Sequence, residues 1–135
     1  MNMLRRISRN LYRQGFAEMG WDILKRHMAY IDYFPYLPQN PRTDVPEQDR
    51  SSMPVEIAAG AGMEAIIFGT FGIEIEKGIL TITPNYSEEM GISTLRDFKF
   101  KGKTYDIHIG RKNFSVFRDG MNIGTKHYGE SVLVH

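Results

Sequence analysis

The residues best suited to chemistry in this sequence are carboxylates gathered in one stretch: Asp44, Glu47, Asp49 and Glu56. Carboxyl groups donate and accept protons, so such a cluster is raw material for acid–base hydrolysis. Read alone, the same residues are solvated loop carboxylates. Glu56, in the first turn of a helix, would favour the positive end of the helix dipole by about 0.3–1 kcal/mol. Just upstream, Tyr30, Tyr33, Phe34 and Tyr36 crowd together. Aromatic rings can stack on sugars through their apolar faces; the plainer role is an apolar cap on the helices. Other chemistry is thin. With no Cys, there is no disulfide scaffold, no thiolate nucleophile and no Cys-ligated zinc. The four histidines, His27, His108, His127 and His135, lack metal-ligand spacing. Gly60-Ala61-Gly62 lacks the Lys-Ser/Thr of a phosphate-binding loop and reads as close helix packing. Ser51-Ser52 shows no nucleophile elbow. Neither a metal nor a cofactor is expected.

The elements that must position these residues fall into two halves. Over residues 3–31 the apolar period is helical: Leu4, Ile7 and Leu11 form a stripe that Phe16, Met19 or Gly20, Ile23 and His27 continue after a small phase slip. Gly15 and Gly20 each cost about 1 kcal/mol relative to Ala inside a helix. The segment is therefore one long helix with a weak middle, or two helices in tandem. Pro35 disfavours a helical Phe34, so the helix should end near Tyr33. Residues 36–54 read as a loop rich in proline. A second helix is expected over 55–70, with small residues first and Ile66, Ile67 and Phe68 last. From Ile73 onward short strands alternate with tight turns at Lys77-Gly78, Lys101-Gly102 and Asp119-Gly120, the last a strong type I′ hairpin signal. Over 94–100, Leu95, Asp97 and Lys99 are set against Phe98 and Phe100, and Ser131-Val132-Leu133-Val134 is placed to close the sheet. Trp21 is assigned to the core.

The fold class is thus α+β. A helical hairpin with a long Pro-rich loop occupies 1–72, and an antiparallel β-sheet or small sandwich domain occupies 73–135. The chain has 135 residues, enough for about one average domain. Apolar residues make up 41% and charged residues 24%, close to average for globular chains. The formal charge of +1 gives no global attraction to nucleic acid or to an anionic membrane. No apolar run approaches the roughly 18–20 residues of a membrane span. The basic start, Met1 to Arg9, is followed by no apolar stretch, so it is not a secretory signal; a cytoplasmic chain follows if Met1 is the true start.

The stretch 53–100 resembles the C-terminal end of glycoside hydrolases with an (α/α)6-barrel, and most of all family 65 and its relatives. The likeness rests on Ile57 to Gly69, then Phe71-Gly72-Ile73, then Leu80-Thr81-Ile82-Thr83-Pro84, and finally Leu95 to Phe100, Lys101-Gly102 and Tyr105 to Ile109. It extends over roughly 3–120 if the first helix is the penultimate barrel helix. The resemblance implies that residues 3–70 are the last helical hairpin of a toroid and that 73–135 are the β domain beside it. A barrel of that kind needs several hundred residues, so only its closing part would be here.

Glycoside hydrolysis usually needs two carboxyls flanking the scissile bond. The resemblance places the general acid far upstream of the final hairpin, so this chain should lack it. In glucoamylases the second carboxylate sits in the loop before the last helix, and Glu47-Gln48 stands at a similar distance; Glu47 is the candidate general base. Glu56, a weaker candidate, stands near the place where the phosphorylases carry a phosphate-binding His. A carboxylate there would repel phosphate, which favours hydrolysis over phosphorolysis in the ancestor. Tyr33, Phe34 and Tyr36 would lie near the mouth of the substrate pocket of a whole barrel. The expectation is a C-terminal fragment of a carbohydrate-active protein, not catalytic on its own, with a carbohydrate substrate in the full-length context. The alternative is a free-standing carbohydrate-binding or protein-interaction module. The helices' apolar faces call for further barrel helices or for a homo-oligomer, unless the helices lie across the sheet of a compact α+β domain. A small complete enzyme using Glu47, Asp49 or Glu56 is the remaining reading, disfavoured because no second carboxylate stands in a defined motif.

Overall fold

The computed structural model describes residues 3–29 and 62–135. Helices α1 (Met3–Arg13) and α2 (Ala17–Met28) lead the chain and pack on each other. Of the two readings of the first segment, the tandem pair is the one that forms, and Gly15 is the reason. The Phe16 N–H reaches back to Leu11 O at 2.9 Å and the Gly15 N–H to Tyr12 O at 3.0 Å. Gly15 sits at φ +82°. This is a Schellman C-cap, which satisfies carbonyls that the helix end would otherwise leave open. The glycine that counts as a penalty in a continuous helix is the residue that stops α1. Gly20 has a different purpose. A Cβ there would lie 3.1 Å from the Tyr12 ring, so its bare backbone lets α2 close on α1. Ser8 Oγ adds a buried hydrogen bond to Gly20 O at 3.1 Å.

The described part of the expected second helix differs from an α-helix. Its last six residues, Ala65–Thr70, form a π-helical turn, and the Phe71 N–H reaches Ile66 O at 3.0 Å, five residues back. π turns are rare and tend to occur where packing or function forces an extra residue into the turn. Here the turn lies against α1: a Cβ on Gly69 would come within 2.6 Å of Tyr12 Cδ2.

Seven strands follow: β1 (Ile73–Glu76), β2 (Ile79–Ile82), β3 (Ser93–Phe100), β4 (Lys103–Ile109), β5 (Asn113–Arg118), β6 (Met121–His127) and β7 (Val132–Val134). They form two antiparallel sheets, ordered β1-β2-β7 and β3-β4-β5-β6. The two-residue turns Lys77-Gly78, Lys101-Gly102 and Asp119-Gly120 all have positive φ at both positions, the type I′ signature. Ile73, Leu80, Ile82, Val132 and Val134 from the first sheet meet Tyr105, Ile107, Ile109, Phe114 and Val116 from the second. Each alternates with exposed or half-buried neighbours, as the two-residue strand period requires. The class is α+β, with N-terminal helices followed by a small antiparallel sandwich.

Strand β3 departs from the simple alternation expected for it. Leu95 pairs with Ile107 and Phe98 with Tyr105, with a bulge between them. Asp97 takes φ +57°, and its N–H donates to Asp106 Oδ1 at 2.9 Å. The extra residue shifts the phase by one, so Leu95, Phe98 and Phe100 all lie on the half-buried face rather than on opposite faces. Trp21, assigned to the core from sequence, is only half-buried, although its Nε1 is shielded from solvent without a hydrogen-bond partner.

Among the described glycines, Gly72 is the one whose added Cβ would meet main chain most closely. This residue has φ +59°, its O accepts the Thr83 N–H at 3.0 Å, and a Cβ would fall 1.8 Å from Thr83 O. A side chain there cannot be accommodated by moving another side chain, because the obstacle is main chain. Gly72→Ala should therefore cost on the order of 4 kcal/mol or more. Gly15→Ala meets open space and should cost only about 1–2 kcal/mol, the price of the left-handed conformation. Urea denaturation of the two variants checks the order; equal losses would mean that the Gly72 contact relaxes.

Candidate functional site

Strand β2 ends at Ile82, which pairs with Val132 at the start of β7. The residues after β2 and those before β7 therefore emerge at the same end of the sheet. Thr83 and Ser131 share a hydroxyl–hydroxyl hydrogen bond of 2.7 Å there. The end of α1 comes down over this edge. Between them runs a cleft of about 400 Å³ bounded by Tyr12, Arg13, Thr83, Asn85, Tyr86 and Tyr128. A smaller recess of about 230 Å³ opens beside it and shares Tyr12, Arg13, Thr83 and Asn85; its far wall is Phe68, Gly72 and Glu74.

Each wall is held from behind. Tyr86 and Tyr128 stack with centroids 5.7 Å apart and planes 27° apart. The Tyr128 hydroxyl donates toward the carbonyls of Gly110 and Asn113, and its ring packs on Phe114 at 6.0 Å. Asn85 donates from its backbone N–H to Thr70 O at 2.9 Å and from Nδ2 to Gly69 O at 2.8 Å. Buried Thr70 donates to the Tyr12 hydroxyl at 3.2 Å. A chain of hydrogen bonds thus runs from α1 through the π turn to the loop after β2.

The two charged side chains among the described lining residues, Arg13 and Glu74, are paired with each other. Arg13 hydrogen-bonds Glu74 through Nε at 2.8 Å and through a second nitrogen, and Arg9 lies 3.7 Å from the same carboxylate. The Arg9 guanidinium also sits 5.5 Å from the centre of the Phe68 ring. Farther along, Lys25 pairs with Glu89, and Glu18 accepts the Glu88 N–H at 2.7 Å. These contacts tie both helices to the sandwich.

The tyrosines of the cleft are all held toward the protonated form. Burial pushes the Tyr12 phenol up, against an opposing hydrogen bond from Thr70. Desolvation and the neighbouring Glu88 carboxylate raise Tyr86. Burial, with Tyr86 close by, pushes Tyr128 up to about 12. The cleft accordingly offers neutral phenols, aromatic faces, a fixed amide and a hydroxyl. Among the described lining residues Glu74 is the one carboxyl, and it is committed to arginine. Hydrolysis by a carboxyl pair cannot be assembled from that set.

The residues singled out in the sequence, Glu47 and Glu56 as candidate bases and Tyr33, Phe34 and Tyr36 as substrate contacts, lie outside the described residues. Asp44, Asp49 and Tyr30 lie outside them too. His108 is exposed on β4, with its ring 4.7 Å from that of Phe117, and His127 is exposed at the end of β6. Among the described residues no group of three His, Cys, Asp or Glu is placed to hold a metal. No described helix is long and apolar enough to cross a membrane. Sequence reasoning missed Tyr12, Asn85, Tyr86 and Tyr128. The available signal was a pair of turn-borne tyrosines, in Pro84-Asn85-Tyr86 and in Tyr128-Gly129, flanking two apolar strand segments.

No protein family matches the chain, and neither does any curated protein or solved structure with which it was compared.

The pinned tyrosine gives a measurable signature. A phenol whose folded pKa lies above its unfolded value of about 10 adds stability that is present below pH 10 and is lost as the pH rises through the folded value. Tyrosinate absorbance should therefore show one phenol of the folded chain titrating near pH 12. Tyr128→Phe should remove that step and flatten the fall in stability between about pH 10 and pH 12. An unchanged titration in the variant would show that Tyr128 is not the pinned phenol.

Proposed function

We propose that this chain is the C-terminal part of an (α/α)6-barrel, glycoside hydrolase-like carbohydrate-active protein, and that it does not catalyse on its own. In this reading α1 and α2 belong to the helical layer of the barrel, and the sandwich braces them from one side. The observation that carries the reading is the division of the helical surface. Ser8, Tyr12, Gly20 and Leu24 are buried, while Ile7, Phe16, Met19 and Met63 are 43–58% exposed. A helix pair that has already covered one face and still presents large apolar side chains is suited to a neighbour on the other. Among the described residues lining the cleft and its recess the one carboxyl, Glu74, is ion-paired with Arg13. The second reading, a carbohydrate-binding module, is favoured by one observation, the tyrosine-walled cleft.

Two measurements test the proposal. The purified chain should turn over none of a panel of aryl α- and β-glycosides above the buffer rate; turnover that survives further purification would overturn it. In light scattering the chain should self-associate. Ile7→Gln with Met19→Gln should weaken that association while changing stability by less than about 1 kcal/mol, since both side chains face water. A wild-type monomer that binds no hydrophobic dye would argue that its helices need no neighbour.

A further inference from the structure

We propose that the cleft between the end of α1 and the loops after β2 and before β7 is a binding site for one ring of a neutral saccharide. The ligand class rests on the carbohydrate reading above; the site itself rests on geometry. Its volume of about 400 Å³ falls within the range of small-molecule sites, roughly 300–1,000 Å³. One wall is the Tyr86–Tyr128 pair, two aromatic rings stacked on each other that both line the cleft. A pyranose has the complementary build, with C–H groups on its faces and hydroxyls around its rim. The opposing polar groups are fixed before any ligand arrives. The Asn85 amide is oriented by Gly69 O, and the Thr83 hydroxyl is engaged with Ser131. Tyr128 is held by two carbonyls. A wall already ordered loses little conformational freedom on binding.

Charge decides against an anionic ligand. The one guanidinium among the described lining residues, Arg13, is paired with Glu74, so an anion would have to displace a carboxylate to reach it, and beside Tyr86 the carboxylates of Glu88 and Glu18 stand against the single positive charge of Arg111. A neutral polyol needs no such displacement. The aromatic cluster on the helix-end side of the sequence is not required for this site, because every group used here lies on α1 or in the sandwich loops.

The test is an amide-resolved NMR titration of the full chain with maltose and cellobiose, using glucuronate and inorganic phosphate as anionic probes. With at least one of the two disaccharides, saturable shifts should appear at Asn85, Tyr86, Tyr128 and Gly129, and phosphate should produce none there. Tyr86→Ala should weaken binding by about tenfold or more. Tyr86→Phe should keep most of the affinity, because the ring face survives. Silence of those amides with both disaccharides, equal shifts with phosphate, or full affinity in a folded Tyr86→Ala chain would each overturn the site. If Tyr86→Ala does not fold, the wild-type map decides. Turnover of an aryl glycoside would defeat the fragment reading and leave this site standing, whereas a silent cleft would defeat the site and leave the fragment reading intact.

Discussion

The ring of Tyr12 occupies a slot that only glycine can make. It passes between α2, where Gly20 leaves the backbone bare, and the π turn, where Gly69 does the same. A methyl group on either residue would lie 3.1 Å or less from the ring. Interiors pack at near-crystalline density, so such a fit fixes three elements against one another. The hydroxyl at the tip of the ring then receives Thr70, whose carbonyl receives Asn85. Three residues farther on from Gly69, Gly72 turns the chain into β1 while its carbonyl holds Thr83. The helices, the first sheet and the cleft between them thus share one origin: a tyrosine threaded past two glycines, with a third glycine steering the exit.

Packing outweighs charge at this junction. Arg13–Glu74 and Lys25–Glu89 span more than sixty residues of sequence and look like clamps, but both pairs are substantially exposed. Exposed ion pairs contribute about 0–1 kcal/mol each, and salt screens them. Burying an aromatic ring of the size of Tyr12 is worth more, since truncating one to Ala costs about 3–5 kcal/mol. The ion pairs therefore choose the orientation of the helices more than they hold them down. Beside Tyr86 the charges are mixed, with Glu88 and Glu18 acting against Arg111.

What could be read from the sequence follows from how local the governing interaction is. The three hairpins were legible because Lys-Gly, Lys-Gly and Asp-Gly between apolar strands specify a type I′ turn with two residues. The sandwich followed from counting those turns. Gly15 was misleading because one residue type serves two ends, as a defect within a helix and as the best residue just past its end. The bulge in β3 was hidden because the alternation over 94–100 is regular on paper; only the register with β4 shows that Asp97 is the surplus residue. The pairing of β2 with β7 crosses about fifty residues, and nothing in either strand announces its partner. That pairing builds the cleft, so its tyrosines were visible as letters but not as neighbours. The carboxylates Glu47 and Glu56 drew attention for the opposite reason: sequence proximity makes a cluster obvious even where no geometry is known.

The contrast between those two groups of residues carries a chemical argument. A glycosidase must keep one carboxyl protonated and another ionised at a fixed separation, which needs unpaired acids in differing environments. At the junction described here the acid is paired and the neutral groups are the ones held rigidly. Phenols held protonated, an oriented amide and stacked rings are groups that can hold a ligand by hydrogen bonds and ring contact. Among the described residues the cleft and the exposed apolar side chains of the helices, Ile7, Phe16 and Met19, are two surfaces of different chemistry. One offers neutral hydrogen-bonding groups and aromatic rings, and the other offers large apolar side chains.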